Sequence, residues 1–116
     1  MPIRFEGPRA IRTIPTVVDT GAESSFVPPQ VLFDIGCDPE KSGRRLPIIT
    51  ASHFSYLPAV VVPKIVGLQT VVANLEVIAH ELPSETTVQG LIGLDFLRHV
   101  PAFQEFERKI RLLTHP

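Results

Sequence analysis

Hydrophobic and polar residues alternate with a period of two along much of the chain, which is the repeat of a β-strand. In segment 69–80, Leu75 and Val77 fall on one face and Glu76 on the other. Twelve prolines keep the elements short, because proline neither fits a helix interior nor donates to a central strand. The pattern therefore predicts an all-β fold. Further strands are predicted at 11–16, 24–27, 46–56 and 57–65, and the strand at 46–56 leads into a hairpin.

Helical signals are short and stand next to prolines or glycines. A pair of prolines opens a helical turn over 30–35, and Gly36 is predicted to end it. A second helix of one or two turns is predicted over 94–99, ending before Pro101. Polar loops are predicted at 38–45 and 81–87, and a turn is predicted near 66–68.

The two ends of the chain are the least regular parts of the pattern. Residues 1–10 carry two prolines and one glycine and are predicted to form an extended N-terminal arm. For 103–113 the preferred interpretation is a hairpin with its turn near 107–109, and the alternative is a helix. The apolar positions of this segment that bear on the choice are Phe103, Phe106, Ile110 and Leu112.

Size and composition predict one globular domain over 1–116. The chain is 44% hydrophobic and 20% charged, and no apolar run approaches the roughly 20 residues that span a bilayer. The formal net charge is -1 without a basic cluster, so neither a membrane nor nucleic acid is an expected partner. The single cysteine, Cys37, excludes an internal disulfide and a thiolate zinc site. Together with an N-terminus that lacks a signal-peptide pattern, it favours the cytoplasm.

Candidate chemistry is concentrated where an apolar strand runs into Asp19-Thr20-Gly21. Desolvating a carboxylate at the end of a buried strand is costly, so such a group is either paired or used. Gly21 lets the backbone approach its neighbours closely, and the Thr20 hydroxyl offers a hydrogen bond that would fix the acid. The alternative is a turn-forming Asp19 that accepts hydrogen bonds from the following amides.

These residues resemble a known family. Asp19-Thr20-Gly21-Ala22 is similar to the active-site signature of the aspartic proteases, in particular of the short, single-motif retropepsin-like group. The segment 90–97, Gly-Leu-Ile-Gly-Leu-Asp-Phe-Leu, is similar to the apolar segment and short helix that follow in that family. The resemblance covers roughly 13–113 and implies a closed retropepsin-like barrel with one short C-terminal helix.

The resemblance also implies a mechanism and an assembly. Two neighbouring carboxylates share one proton and activate a water that attacks the peptide carbonyl. The chain has one Asp-Thr-Gly, and Asp95 lacks a following Thr-Gly, so the second Asp19 would come from a second copy in a two-fold homodimer. Thr20 and Gly21 would lie at the axis, and termini 2–5 and 110–114 would form an interface sheet. The expected substrate is a peptide or protein, and no cofactor or metal is expected.

The resemblance places a flap, a hairpin that closes over the substrate, at 49–56. Ser52 and His53 stand where a glycine is usual at the tip, and a plain hairpin is the alternative. Glu23 either lines the peptide groove or is solvated; Leu94 stands where retroviral members carry the arginine that pairs with the acid at the position of Glu23. The substrate-binding residues that the resemblance implies are Ala22, Glu23, Thr50, Ala51 and Ser52.

Two other functions compete with the peptidase. The first is a retropepsin-fold module that keeps the acid, binds peptides or dimerises, and has lost efficient catalysis. The second is a small β-barrel unrelated to proteases, which would be monomeric with Asp19 in an ordinary exposed turn.

Overall fold

The computed structural model describes residues 1–49, 53–84 and 86–114. Strands dominate these residues, as the alternating pattern predicts. The strands are β1 Pro2–Glu6, β2 Ile11–Val18, β3 Phe26–Val27, β4 Arg45–Ile49, β5 Phe54–Gly67, β6 Thr70–Ala79 and β7 Gly90–Ile92. The helices are α1 Pro29–Asp34, α2 Leu94–Leu97 and α3 Pro101–Thr114, and Pro39–Lys41 forms a single 3₁₀ turn.

Six of the strands close into a barrel. Neighbouring strands follow the order β1-β2-β7-β3-β6-β5, and pairing of β1 with β5 closes the ring. Strand β4 pairs with β5 alone and forms a hairpin that extends the sheet. The all-β closed barrel expected from the sequence is confirmed. Its core is filled by side chains without solvent exposure or nearly so, among them Ile3, Phe5, Ile14, Leu32, Ile65 and Phe96.

The N-terminal segment is part of the barrel and not a free arm. Strand β1 pairs antiparallel with β2 along one edge and with β5 along the other. Ile3 and Phe5 are completely buried because alternate side chains of β1 point into the core. Strand β2 is a central strand, paired with β1 on one edge and with β7 on the other, although it contains Pro15 and proline favours edge strands.

Helix α1 is built as the sequence predicts. Pro29 begins it, and Gly36 ends it in the left-handed conformation with a φ of 93°. The amide of Cys37 donates to the carbonyl of Leu32 and that of Gly36 to Phe33, which is the Schellman arrangement. Burial raises the pKa of the Cys37 thiol, which keeps the thiol in its protonated form over a wider pH range.

The predicted break between two strands, after residue 56, is misplaced. Strand β4 ends at Ile49 and β5 already begins at Phe54, so the chain reverses within the expected strand. The next turn consists of Leu68 and Gln69, both with positive φ, and it overlaps the predicted turn over 66–68 at Leu68.

The C-terminal segment is the largest departure from the sequence expectation. Instead of a hairpin near 107–109, Pro101–Thr114 forms one helix, α3. The expected short C-terminal helix, α2, is therefore followed by a second helix of 14 residues. The apolar residues Phe103, Phe106 and Ile110 recur at spacings of three and four, which is the helical period. Pro101, interpreted as the end of α2, also begins α3 at the position that proline favours.

The expected interface sheet is contradicted as well. Residues 110–114 are helical, and β1 is already paired on both edges within its own chain. Neither terminus therefore offers the strand edge that such a sheet needs. No helix in the part of the chain that the structure describes is long and apolar enough to cross a bilayer.

Candidate active site

Asp19 lies where β2 leaves the barrel, directly beside the end of β7. The two strands are parallel, with Val18 opposite Ile92. The amide of Asp19 extends this pairing by donating to the Ile92 carbonyl at 2.9 Å. The two sequence motifs that the resemblance rests on are therefore neighbours in space.

The Asp19 side chain is held by its own turn. The Gly21 amide donates to Asp19 Oδ1 at 2.8 Å, and the Ala22 amide donates to the Asp19 carbonyl at 3.2 Å. The carboxylate is exposed in the single chain, as are Val17 and Val18 at 42% and 38%, so the expected burial of this strand end is wrong. The turn-forming role and a catalytic role are compatible, because only one carboxylate oxygen accepts the amide.

Thr20 and Gly21 lie exposed beside the acid. A β-carbon at Gly21 would stand 3.2 Å from Asp19 Oδ1, so glycine leaves room for the carboxylate. The Thr20 hydroxyl makes no hydrogen bond to any residue that the structure describes. The sequence analysis expected this hydroxyl to fix Asp19, and within one chain it does not.

The loop after Asp19 is braced by the start of α2. The Leu94 amide donates to the Ala22 carbonyl at 2.8 Å, and the Asp95 amide donates to the Glu23 carbonyl at 3.2 Å. Gly93 is required at this crossing, because a β-carbon there would come within 2.7 Å of the Ala22 carbonyl oxygen. The backbone of both predicted groove residues, Ala22 and Glu23, is thus fixed by the second motif.

Ser25 and Asp95 form a buried link that the sequence did not reveal. The Ser25 hydroxyl donates to Asp95 Oδ1 at 2.7 Å, and the Ser25 amide donates to Oδ2 at 2.9 Å. The Gly93 amide in turn donates to the Ser25 hydroxyl at 3.0 Å. The one available signal was an acid in the first turn of α2, where carboxylates are favoured. Asp95 is therefore a structural anchor of the Asp19 loop.

Glu23 pairs with Arg98, a residue within reach that the sequence could suggest but not establish, and not with position 94, where Leu94 stands. Arg98 Nη1 lies 3.5 Å from Glu23 Oε2. Both side chains are more than half exposed, so this ion pair contributes little to stability. The charged end of Glu23 remains largely in solvent.

The β4–β5 hairpin corresponds to the predicted flap. Thr50, Ala51 and Ser52 lie outside the described residues. The hairpin around them has one apolar, exposed face, because Ile49 lies opposite Phe54 and Pro47 opposite Tyr56. Phe54 and Tyr56 make an edge-to-face contact with their ring centroids 5.2 Å apart.

Comparison with known proteins adds the family. The sequence model of the aspartyl protease family matches residues 1–96. The chain belongs to the aspartyl protease family. No curated protein matches it. Because the match spans most of the chain, the alternative of an unrelated β-barrel is wrong.

A solved structure extends this result to the fold. The chain is similar to the crystal structure of a retropepsin-like aspartic protease from Rickettsia conorii, with a TM-score of 0.58 and 15% sequence identity. The similarity covers 84% of this chain and 68% of the other. The barrel of this aspartyl protease family member is therefore retropepsin-like.

Helix α3 lies beyond the residues matched by the aspartyl protease family model and borders the candidate site. A groove of about 480 Å³ runs between α3 and the site. Thr20 and Leu94 line one side, and Phe106 and Ile110 line the other. The Asp-Thr-Gly loop and the apolar residues of α3 thus form one continuous surface.

Proposed function

We propose that the protein is an aspartic endopeptidase that acts as a homodimer. The observation that carries this proposal is the exposed Asp19 carboxylate, held by the Gly21 amide at 2.8 Å in the one Asp-Thr-Gly of a retropepsin-like barrel. Because one chain supplies one such carboxylate, the second comes from the same residue of a second copy. Exposure of Asp19 in the single chain supports this, since the acid remains accessible to a partner.

In the proposed reaction, the two Asp19 carboxylates share one proton across the two-fold axis. The ionised carboxylate removes a proton from a water molecule, and the resulting oxygen forms a bond with the carbonyl carbon of the peptide. The protonated carboxyl group donates its proton to the carbonyl oxygen, which gives a neutral gem-diol. The carboxyl group that took the proton of the water then donates it to the amine nitrogen, the other carboxylate takes a proton from a diol hydroxyl, and the C–N bond breaks.

We propose that a peptide binds between the Ala22–Glu23 backbone and the β4–β5 hairpin. The exposed apolar face with Ile49, Phe54 and Tyr56 supports this, because apolar surface can take up the side chains of an extended peptide. We also propose a cytoplasmic location. The single cysteine supports it, because a chain without an internal disulfide suits a reducing compartment.

The proposal is tested with Asp19→Asn against a mixed peptide library. Asparagine keeps the size of the side chain but removes the base, so we expect cleavage to fall by at least about 100-fold. Asp38→Asn is the matched control, because it makes the same chemical change in the 3₁₀ turn, where asparagine caps as well as aspartate. Equal activity of the Asp19→Asn and wild-type proteins would refute the mechanism.

The second candidate function is a peptide-binding or dimerisation module without efficient catalysis. The sequence favours it, because Ser52 and His53 stand where the resemblance to the family leads us to expect a glycine. A module of this kind would dimerise or bind a peptide, but wild type and Asp19→Asn would both fail to cleave the library.

A further inference from the structure

Helix α3 carries an apolar stripe, which we define as Phe103, Phe106, Ile110 and Leu113. These positions recur every three or four residues and therefore share one face of the helix. Phe103 packs against the core, but Phe106, Ile110 and Leu113 are 59%, 45% and 83% exposed. No residue of α3 is buried. The chain itself leaves most of this stripe uncovered.

An uncovered stripe is a poor source of stability for α3. Isolated helices shorter than about 12–15 residues are marginal in water, and most helices in proteins are stabilised by packing of the apolar face. Helix α3 has 14 residues and packs through Phe103 at one end. Its remaining apolar residues therefore require a surface that the single chain does not provide.

We infer that the α3 stripe is a self-association surface, and that its partner is the α3 stripe of a second copy. This inference rests on the proposed homodimer and adds which residues hold it together. Thr20, the neighbour of Asp19, lines the same groove as Phe106 and Ile110. If the two Asp19 residues meet at a two-fold axis, the two α3 helices lie beside that axis.

The charges of α3 favour a second copy as the occupant. Glu107 in the first half of the helix and Arg111 in the second half both line the groove beside the stripe, whereas Glu105 and Arg108 pair with each other within the helix. Two copies related by an axis perpendicular to the helix pack antiparallel. Glu107 of each copy then lies towards Arg111 of the other, which makes the surface complementary to itself.

Size limits what the stripe can do alone. A 14-residue helix is about 21 Å long and about 10 Å wide, which gives a face of about 200 Å². A stable interface buries about 800 Å² on each partner. The stripe therefore acts together with the loop around Asp19. We expect a dimer of moderate affinity, with a dissociation constant on the order of micromolar.

Two adjacent leucines provide a matched test. Leu113 lies on the stripe and Leu112 lies off it, and they are 83% and 71% exposed, so neither is needed for folding. Leu113→Glu places a charge in the interface twice, once from each copy, and we expect it to raise the dissociation constant at least about 100-fold. Leu112→Glu makes the same change in solvent and should leave the constant unchanged.

The experiment is sedimentation of the full chain over a range of concentrations, with peptide cleavage measured on the same samples. Phe106→Glu is a second stripe variant, and circular dichroism confirms that each variant is folded. We expect wild type and Leu112→Glu to be dimeric and both stripe variants to be monomeric. Cleavage by the stripe variants should be lost at low concentration and return as the concentration rises.

The results separate this inference from the proposed function. Stripe variants that sediment as dimers would overturn the inference, whatever their activity. A wild type that stays monomeric would overturn it too. The same holds if the monomer binds anionic vesicles through Leu113, since the stripe would then contact lipid and not a second copy. If wild type and Leu112→Glu are dimers, the stripe variants are monomers and none of them cleaves, the surface stands and the proposed peptidase falls.

Discussion

Ser25 connects the two motifs of the site through a fully buried hydroxyl. It donates to Asp95 Oδ1 and accepts from the Gly93 amide, so it satisfies two groups at once. Burying a polar group without a partner costs more than a hydrogen bond contributes, so this arrangement tolerates little change. The position of the Asp19 loop therefore depends on a residue outside the Asp-Thr-Gly motif.

We predict that Ser25→Ala lowers the free energy of unfolding by about 2–3 kcal/mol, because the Gly93 amide loses its acceptor and the Asp95 carboxylate loses a donor. Ser24→Ala is the neighbouring control, and we expect a change within about 0.5 kcal/mol. Urea denaturation followed by circular dichroism measures both. Equal stabilities of the two variants would show that the buried link contributes nothing.

At the scale of elements, the turn between β5 and β6 carries a conformational cost. Leu68 and Gln69 have φ values of 52° and 59°, in the left-handed region that non-glycine residues avoid. Leu68 packs against the core, whereas Gln69 is exposed. The second position can therefore be changed without loss of packing.

We predict that Gln69→Gly stabilises the protein by about 0.5–1 kcal/mol. Glycine adopts the left-handed conformation without strain, but it also raises the conformational entropy of the unfolded chain, which offsets part of the stabilisation. The melting temperature should rise by about 2–5 °C. Gln69→Ala keeps the side-chain conflict and should bring no gain. A lower melting temperature for the glycine variant would show that Gln69 makes contacts that outweigh the turn strain.

Helix α3 shows how an element can be misassigned from a correct pattern. Charged and apolar residues in 103–113 fit a hairpin almost as well as a helix, because Ile110 and Leu112 alternate while Phe103, Phe106 and Ile110 follow the helical period. Phe103, Phe106, Ile110 and Leu113 do share one apolar face, so the sequence carried the signal of the helix that was kept as the alternative.

At the scale of the whole molecule, the sequence carries one Asp-Thr-Gly motif. Asp95, the acid nearest to Asp19 along the second motif, is already bound to Ser25. The proposed activity therefore belongs to a pair of chains and should depend on the composition of that pair.

We predict that inactive chains suppress active ones. When equal amounts of wild type and Asp19→Asn are mixed and allowed to exchange, random pairing leaves about half of the wild-type chains in fully active dimers. Cleavage per wild-type chain should therefore fall to about half. Mixing with Asp38→Asn, which keeps Asp19, should cause no such fall, and unchanged activity in the first mixture would indicate that each chain acts alone.

The sequence alone determined the family resemblance, the all-β class, helix α1 and the position of Asp19. These rest on local chemistry: the strand period, Gly36 at a helix end, and a compact Asp-Thr-Gly turn. Tertiary structure decided what depends on distant partners. It placed β1 inside the barrel, joined Ser25 to Asp95 across 70 residues, and set α3 beside Thr20. Contacts between residues far apart in the chain leave no periodic signal, so only the folded chain reveals them.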